Sequence, residues 1–162
     1  MPDGVQGRVP LLDVNVLVAL FDGAHLHHEA AHTWFERVSQ TGWASCALTE
    51  NGTLRVLTNP SYTGRFSSLH DVADRLRELR THTAATFWDA SVSLLEAGQF
   101  DLTHIAGHRQ LTDTYLLGLA VAHGGYLATF DRRISTAAVR RAKPEHLLLI
   151  GAAGTAMWEV TP

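Results

Sequence analysis

Four carboxylates stand where an apolar run ends or a helix is about to begin. Asp13 follows Val9-Pro10-Leu11-Leu12, and Glu50 follows Leu48-Thr49. Asp113 follows Leu111-Thr112, and Asp131 follows Ala128-Thr129-Phe130. A carboxylate placed against buried apolar segments gives up hydration, which is costly. A helix cap accounts for one such acid; four at element boundaries point to a shared site. Gathered carboxylates repel one another and persist together only if a cation or protons neutralise them. Hard oxygen ligands suit Mg2+ or Mn2+, and Mg2+ typically takes only one or two carboxylates directly. The remaining acids can hold its waters or a second ion. The chemistry this supports best is phosphodiester hydrolysis, with a metal-activated water as nucleophile and the metal stabilising charge on the phosphate. An acidic site repels a polyanion until metal is bound, so activity is expected to depend strictly on metal.

Each acid also has a plainer reading. Asp113 directly follows Thr112, a candidate N-cap, and the helix dipole favours an acid there by about 0.3–1 kcal/mol. Glu50 can do the same, and Asp131 can cap a helix that runs into Arg132-Arg133. Asp13 resists this treatment most, because it lies between Leu11-Leu12 and Val16-Leu17.

The elements that must position these acids follow from apolar spacing and punctuation. A short buried strand leads to Asp13, then a helical turn from Asn15 to Phe21 ends near Asp22-Gly23. His27 to Ser39 carries apolar residues at helical spacing. Trp43-Ala44-Ser45 reads as a strand, with Ser45 as N-cap of a helix from Ala47 to Thr58. Asn59-Pro60 stops that helix, since the residue before proline avoids helical angles. Gly52 inside it costs about 1 kcal/mol against alanine, a sign of close backbone approach. Ser67-Ser68 caps a helix to about Arg80. Ala84 to Trp88 reads as a strand and Asp89 to Ala97 as a helix ended by Gly98. Thr112 caps a helix that stops near Gly124-Gly125. Tyr126 to Phe130 is a strand ending at Asp131, Leu147 to Ile150 a last strand, and the tail after Gly151 is expected to fray.

Strands alternating with helices predict an α/β fold, a three-layer α/β/α sandwich with a mainly parallel central sheet. In such sheets ligands bind beyond the carboxyl ends of the strands. Asp13 and Asp131 each end a strand, while Glu50 and Asp113 each lie near a helix start, so all four acids are expected along one sheet edge. The 162 residues suit one domain over 1–162, with its core at about 9–150 and flanks at 1–8 and 151–162.

Composition narrows the class. No apolar run reaches the roughly 18 residues that span a bilayer, and the start lacks the pattern of a signal peptide. Cys46 is the single cysteine, which excludes an intrachain disulfide. A cytoplasmic protein is the simplest expectation. The net charge of −3 is not the footprint of a basic nucleic-acid-binding domain. The exception is Arg132, Arg133, Arg140, Arg141 and Lys143, a basic cluster that is either a phosphate-contacting surface or a solvated helix face. Arg55 faces the same two readings.

Four segments together resemble the PIN-domain ribonucleases, specifically the VapC toxins of VapBC toxin–antitoxin modules. They are Leu11-Leu12-Asp13-Val14-Asn15-Val16-Leu17, Thr49-Glu50 with Leu54-Arg55-Val56-Leu57-Thr58-Asn59-Pro60, Leu111-Thr112-Asp113-Thr114-Tyr115-Leu116, and Ala128-Thr129-Phe130-Asp131-Arg132. The resemblance implies Mg2+- or Mn2+-dependent endonuclease cleavage of RNA. It assigns Asp13, Glu50, Asp113 and Asp131 to the acidic metal site, with Asp13 and Asp113 as direct ligands and Glu50 and Asp131 acting directly or through water. Asn15 and Thr129 match the supporting polar positions, and Arg55, Arg132 and Arg133 are candidates for substrate contact. It further implies a homodimer neutralised by a small VapB-type antitoxin. Leu12 departs from the small or hydroxyl residue that precedes the first acid in many members. Residues 62–110 carry no matching motif, and substrate choice is expected there and in the loops.

Three rival readings compete. His28-Glu29-Ala30-Ala31-His32 fits H-E-x-x-H, the zinc-protease signature; an amphipathic helix explains the same residues. A phosphatase of the haloacid-dehalogenase type needs a second Asp two residues after the first, where Asn15 stands. A PIN-like fold acting only as a binding module is favoured by loss of acids, and all four are present.

Overall fold

The computed structural model describes residues 7–63 and 67–158. Six strands form one sheet: β1 (Pro10–Leu12), β2 (Trp43–Cys46), β3 (Ala85–Trp88), β4 (Tyr126–Thr129), β5 (Leu147–Ile150) and β6 (Ala156–Trp158). Their order is β3-β2-β1-β4-β5-β6. All neighbours pair parallel except β5 and β6. The chain builds outward from β1 to β3, then crosses back to lay β4 on the other flank of β1. This reversal opens a crevice at the carboxyl ends of β1 and β4, where such sheets bind ligands.

The strands read as apolar runs because both sheet faces are covered. Successive side chains point to opposite faces, and two cores result. Leu12, Trp43, Ala128 and Leu148 pack on one face with Val16, Leu17 and Leu20 of α1 (Val14–Phe21) and Trp34 and Phe35 of α2 (His28–Val38). Leu11, Ala44, Leu127 and Leu147 pack on the other with Leu116, Leu117 and Leu119, which belong to the last long helix, Leu111–Ala122. These layers are the expected α/β/α sandwich. The helices α3 (Ala47–Leu57), α4 (Pro60–Thr63) and α5 (Leu69–His82) lie between β2 and β3, and Leu111–Ala122 is α6. Two glycines set close approaches. A Cβ at Gly52 would stand 2.6 Å from Cγ2 of Val14, so the glycine lets α1 and α3 meet; one at Gly118 would stand 2.2 Å from the Phe100 ring.

Several expected boundaries shift. No helix forms over Asp89 to Ala97; the segment is a run of turns, with Ser93 Oγ accepting the Leu95 N–H and its carbonyl the Glu96 N–H. Serine side chains compete for local backbone groups in this way; Leu95 lies 86% exposed, while Val92 and Leu94 pack against the core without a helix between them. Cys46, not Ser45, is the N-cap of α3, with Thr49 Oγ1 accepting the Cys46 N–H at 2.9 Å. Ser45 belongs to β2. The cap of α6 is Gln110 rather than Thr112, because a short 3-10 turn over His108–Gln110 leads straight into the helix. Ser68 does cap α5, accepting the Asp71 N–H. Residues 152–158 do not form the loose tail expected after Gly151: β6 pairs with β5, and the Trp158 ring stands edge-on to Tyr126 at 5.0 Å. The outermost parts of the expected flanks, 1–6 and 159–162, lie outside the described residues.

Candidate active site

The site grows from the junctions that follow β1 and β4. Asp13 ends β1 and is the N-cap of α1, where extended backbone angles let its Oδ1 accept the Val14 N–H at 2.6 Å. Its Oδ2 accepts the Thr129 hydroxyl at 2.7 Å and the Asn15 amide at 3.0 Å. The carboxylate is 5% exposed. Burial raises its pKa above the ordinary value; the Thr129 and Val14 donors oppose this, and the charge of Asp131 adds to it.

Thr129 is the knot of the network. While its hydroxyl donates to Asp13, its oxygen accepts from Asn15 Nδ2 and from the Asp131 N–H, both at 3.0 Å. Asn15 Oδ1 in turn accepts the Phe130 N–H at 3.2 Å. One amide and one hydroxyl therefore tie the start of α1 to the end of β4, across 114 residues or more of sequence.

Asp131 is held by a fork from Arg133. Nε and the backbone N–H of Arg133 reach Oδ1 at 3.0 and 2.8 Å, and its terminal nitrogen reaches Oδ2 at 2.8 Å. These donors hold the Asp131 carboxyl below its ordinary pKa. The turn they form replaces the expected helix after Asp131. Asp113 lies in the first turn of α6, and among the described residues nothing donates a hydrogen bond to its carboxylate. Burial pushes its pKa up to about 6, helped by the charges of Asp13 and Asp131 and opposed by Arg133.

Asp13, Asn15, Asp113, Thr129 and Asp131 are thus brought together. Glu50 is not linked to them. It lies in the first turn of α3, beyond β2 on the same sheet edge, and accepts from Ser45 Oγ at 2.6 Å and from Arg80 at 3.0 Å. The sequence reading missed Arg80, which α5 delivers from 30 residues away; no local pattern marks it. Arg55 is exposed on α3, and its side chain makes no hydrogen bond within the described residues. Arg132 is exposed and points to a second hollow, lined also by Thr129 and Trp158.

The basic cluster from Arg132 to Lys143 does not form one surface. The segment is made of turns, so its side chains fan out. Arg133 turns to Asp131, Arg140 to Asp101 at 3.6 Å and the Ala97 carbonyl, and Arg141 to a separate hollow beside Gly98 and Gly118. The H-E-x-x-H histidines have other employment. His28 Nδ1 meets the Ala19 carbonyl at 2.8 Å and His32 Nε2 the Leu20 carbonyl at 3.0 Å, closing the end of α1.

Among the described residues, no three His, Cys, Asp or Glu side chains close into a ready cage for a metal. Mg2+ does not require one, since it keeps most of its waters and binds one or two carboxylates. Three acids, one of them partly buried with no donor, form a hard-oxygen set that fits such an ion. Beside them opens a cavity of about 370 Å³ between residues 104–110 and 131–138.

A PIN-domain family model matches residues 11–140. The chain belongs to the PIN-domain family. Among its relatives are VapC ribonucleases of Mycobacterium tuberculosis. It is 44% identical to Ribonuclease VapC44, over 85% of this chain and 96% of that protein. To Ribonuclease VapC38 it is 42% identical over 86% and 98%, and to Ribonuclease VapC39 37% over 79% and 92%. Within the PIN family the chain is therefore of the VapC ribonuclease type.

Proposed function

We propose that this PIN domain is a Mg2+- or Mn2+-dependent endoribonuclease, the toxin of a type II toxin–antitoxin module. The observation that carries this is the convergence of Asp13, Asp113 and Asp131 at the crevice between β1 and β4, with Arg133 paired to Asp131 and its charge felt at Asp113. Three acids so close need more positive charge than one exposed guanidinium supplies. Asp13 and Asp113 would hold the metal directly, and Asp131 directly or through water. Glu50, already paired with Arg80, takes a water-mediated part.

A bound Mg2+ or Mn2+ supplies an activated water and neutralises charge developing on the phosphate. The chain's own residues orient. Thr129 and Asn15 both hold Oδ2 of Asp13, which fixes the carboxylate plane before any ligand arrives. The Val14 N–H at Oδ1 ties the same carboxylate to the α1 terminus, whose dipole favours its negative charge.

The relatives' shared name, Ribonuclease VapC, supports an RNA substrate and a small VapB-type antitoxin as partner. A homodimer working in the cytoplasm, with 1–162 acting as one unit, completes the reading. No helix among the described residues is long and apolar enough to cross a membrane. The test is cleavage of end-labelled RNA by the purified chain, with Mg2+, with Mn2+ and with EDTA. Cutting is expected only with metal and is lost in Asp13→Asn; metal-independent cutting that survives Asp13→Asn overturns the mechanism.

A further inference from the structure

The cavity beside the acids has a wall that the cleavage chemistry does not use. Asp113 and Asp131 line the cavity. So does the segment that joins β3 to α6, through His104, His108 and Arg109. Ile134 and Ala138 add apolar surface to the lining.

The cations in this region differ in their commitments. Arg133 is spent on Asp131, Arg140 on Asp101 and Ala97, and Arg80 on Glu50. His104 stands 3.6 Å from Asp101. Arg109 is exposed, and neither it nor His108 hydrogen-bonds to another side chain among the described residues. Its five donors remain available at a cavity that opens onto the acids. A guanidinium in that position suits a phosphate, which it can meet with two parallel hydrogen bonds.

Size and lining select the rest of the ligand. A volume of about 370 Å³ lies at the small end of ligand pockets and suits one nucleotide unit. A duplex cannot offer a single base to such a hollow, whereas a single strand can splay a base out and lay it on flat side chains. The imidazoles and aliphatic side chains of the lining provide such a surface. Because Asp113 and Asp131 share this lining with Arg109, a strand whose phosphate lies at the acids can place its next nucleotide in the cavity.

We propose that this cavity receives the nucleotide adjoining the cleaved phosphodiester of a single-stranded RNA, with Arg109 on its phosphate and the imidazoles of His104 and His108 against its base. The proposal rests on the ribonuclease reading and adds to it the residues that grip the strand beside the cut.

The test uses the full-length chain carrying Asp13→Asn, which prevents cutting, with Mg2+ present. The probe is a fluorescein-labelled single-stranded RNA 20-mer, followed by anisotropy from low to high salt. Arg109→Ala is expected to weaken binding about tenfold at low salt and to lower the slope of log K against log salt by about 0.7, as for one lost phosphate contact on a single strand. Arg109→Lys should keep the slope and recover part of the affinity. His104→Ala with His108→Ala at pH 8 should weaken binding about fivefold without moving the slope, because stacking carries no counterion release. A duplex of the same sequence should be indifferent to all three changes. If Arg109→Ala leaves both affinity and slope as in its parent, the cavity is not a subsite. The two readings fail separately: unmutated chain that cuts no RNA removes the ribonuclease reading, while the salt slope still judges the cavity. RNA cut normally with an unmoved slope removes only the cavity.

Discussion

Replacing Asp113 by Asn should stabilise the metal-free protein while removing its function. The carboxylate is partly buried, has no donor among the described residues, and faces the charges of Asp13 and Asp131. Its pKa stands at about 6 against an ordinary 3.8. Below about 3.8 the group is neutral in folded and unfolded chains alike and costs nothing. Between 3.8 and about 6 the unfolded chain has released the proton while the folded chain retains it, so stability falls as pH rises. Above about 6 the cost is complete. That interval corresponds to about 3 kcal/mol as a ceiling. Solvent reaches part of the group and screens it, so about 1–2 kcal/mol is the working figure. For a chain of this size that is a rise of about 3–6 °C in Tm. The assay is a thermal melt in EDTA at pH 7.5 and at pH 4.5. Asn should melt higher than Asp at pH 7.5, and the gap should narrow to about a third at pH 4.5, where the unfolded chain still releases most of the proton. Adding Mg2+ should raise the Tm of the unmutated chain and leave Asp113→Asn unmoved. An Asn variant that melts lower at pH 7.5, or a gap independent of pH, refutes the idea that the site stores uncompensated negative charge.

Three further outcomes are expected. Thr129→Val keeps the shape but strips Asp13, Asn15 and the Asp131 N–H of one partner each; urea unfolding should show a loss of about 2–4 kcal/mol, and an unchanged midpoint would mean that the knot is not structural. Arg133→Ala frees both oxygens of Asp131 and removes a positive charge from the acids, so Mn2+ titration should show tighter binding; weaker binding would assign Arg133 to metal retention instead. Gly118→Ala drives a methyl into the Phe100 ring and should cost about 1–3 kcal/mol, read as a lower denaturation midpoint, with no loss expected if the segment around Phe100 can move aside.

Much of the site is legible in the chain because its pieces are local. An apolar run ended by Asp13 and followed by Val16 and Leu17 specifies a strand, a cap and a helix within ten residues, since burial period and capping chemistry act over that range. The same holds for Tyr126 to Asp131. Asn15 and Thr129 stand two residues from an acid, and the family resemblance marks them. Where local grammar is ambiguous it misleads: Asp89 to Ala97 has helix-forming residues, but Ser93 takes the local N–H groups into turns, and Ser45 has the chemistry of a cap yet is claimed by β2.

The tertiary structure alone decided which side chains meet. Placing β4 beside β1 brings Thr129 to Asp13 across 116 residues, and no periodicity encodes a contact at that distance. The same folding separates what the chain had grouped: Arg132 to Lys143 is one cluster in sequence and several destinations in space, because turns send consecutive side chains in different directions. Glu50 acquires Arg80, and the wall of His104, His108 and Arg109 acquires the acids as neighbours. By itself the sequence determined the residue types, the strand ends that carry acids and the class of fold, since these depend on hydration cost and local pattern. Partners, cavity and the balance of charge within it depend on long-range packing, and only the folded chain sets them.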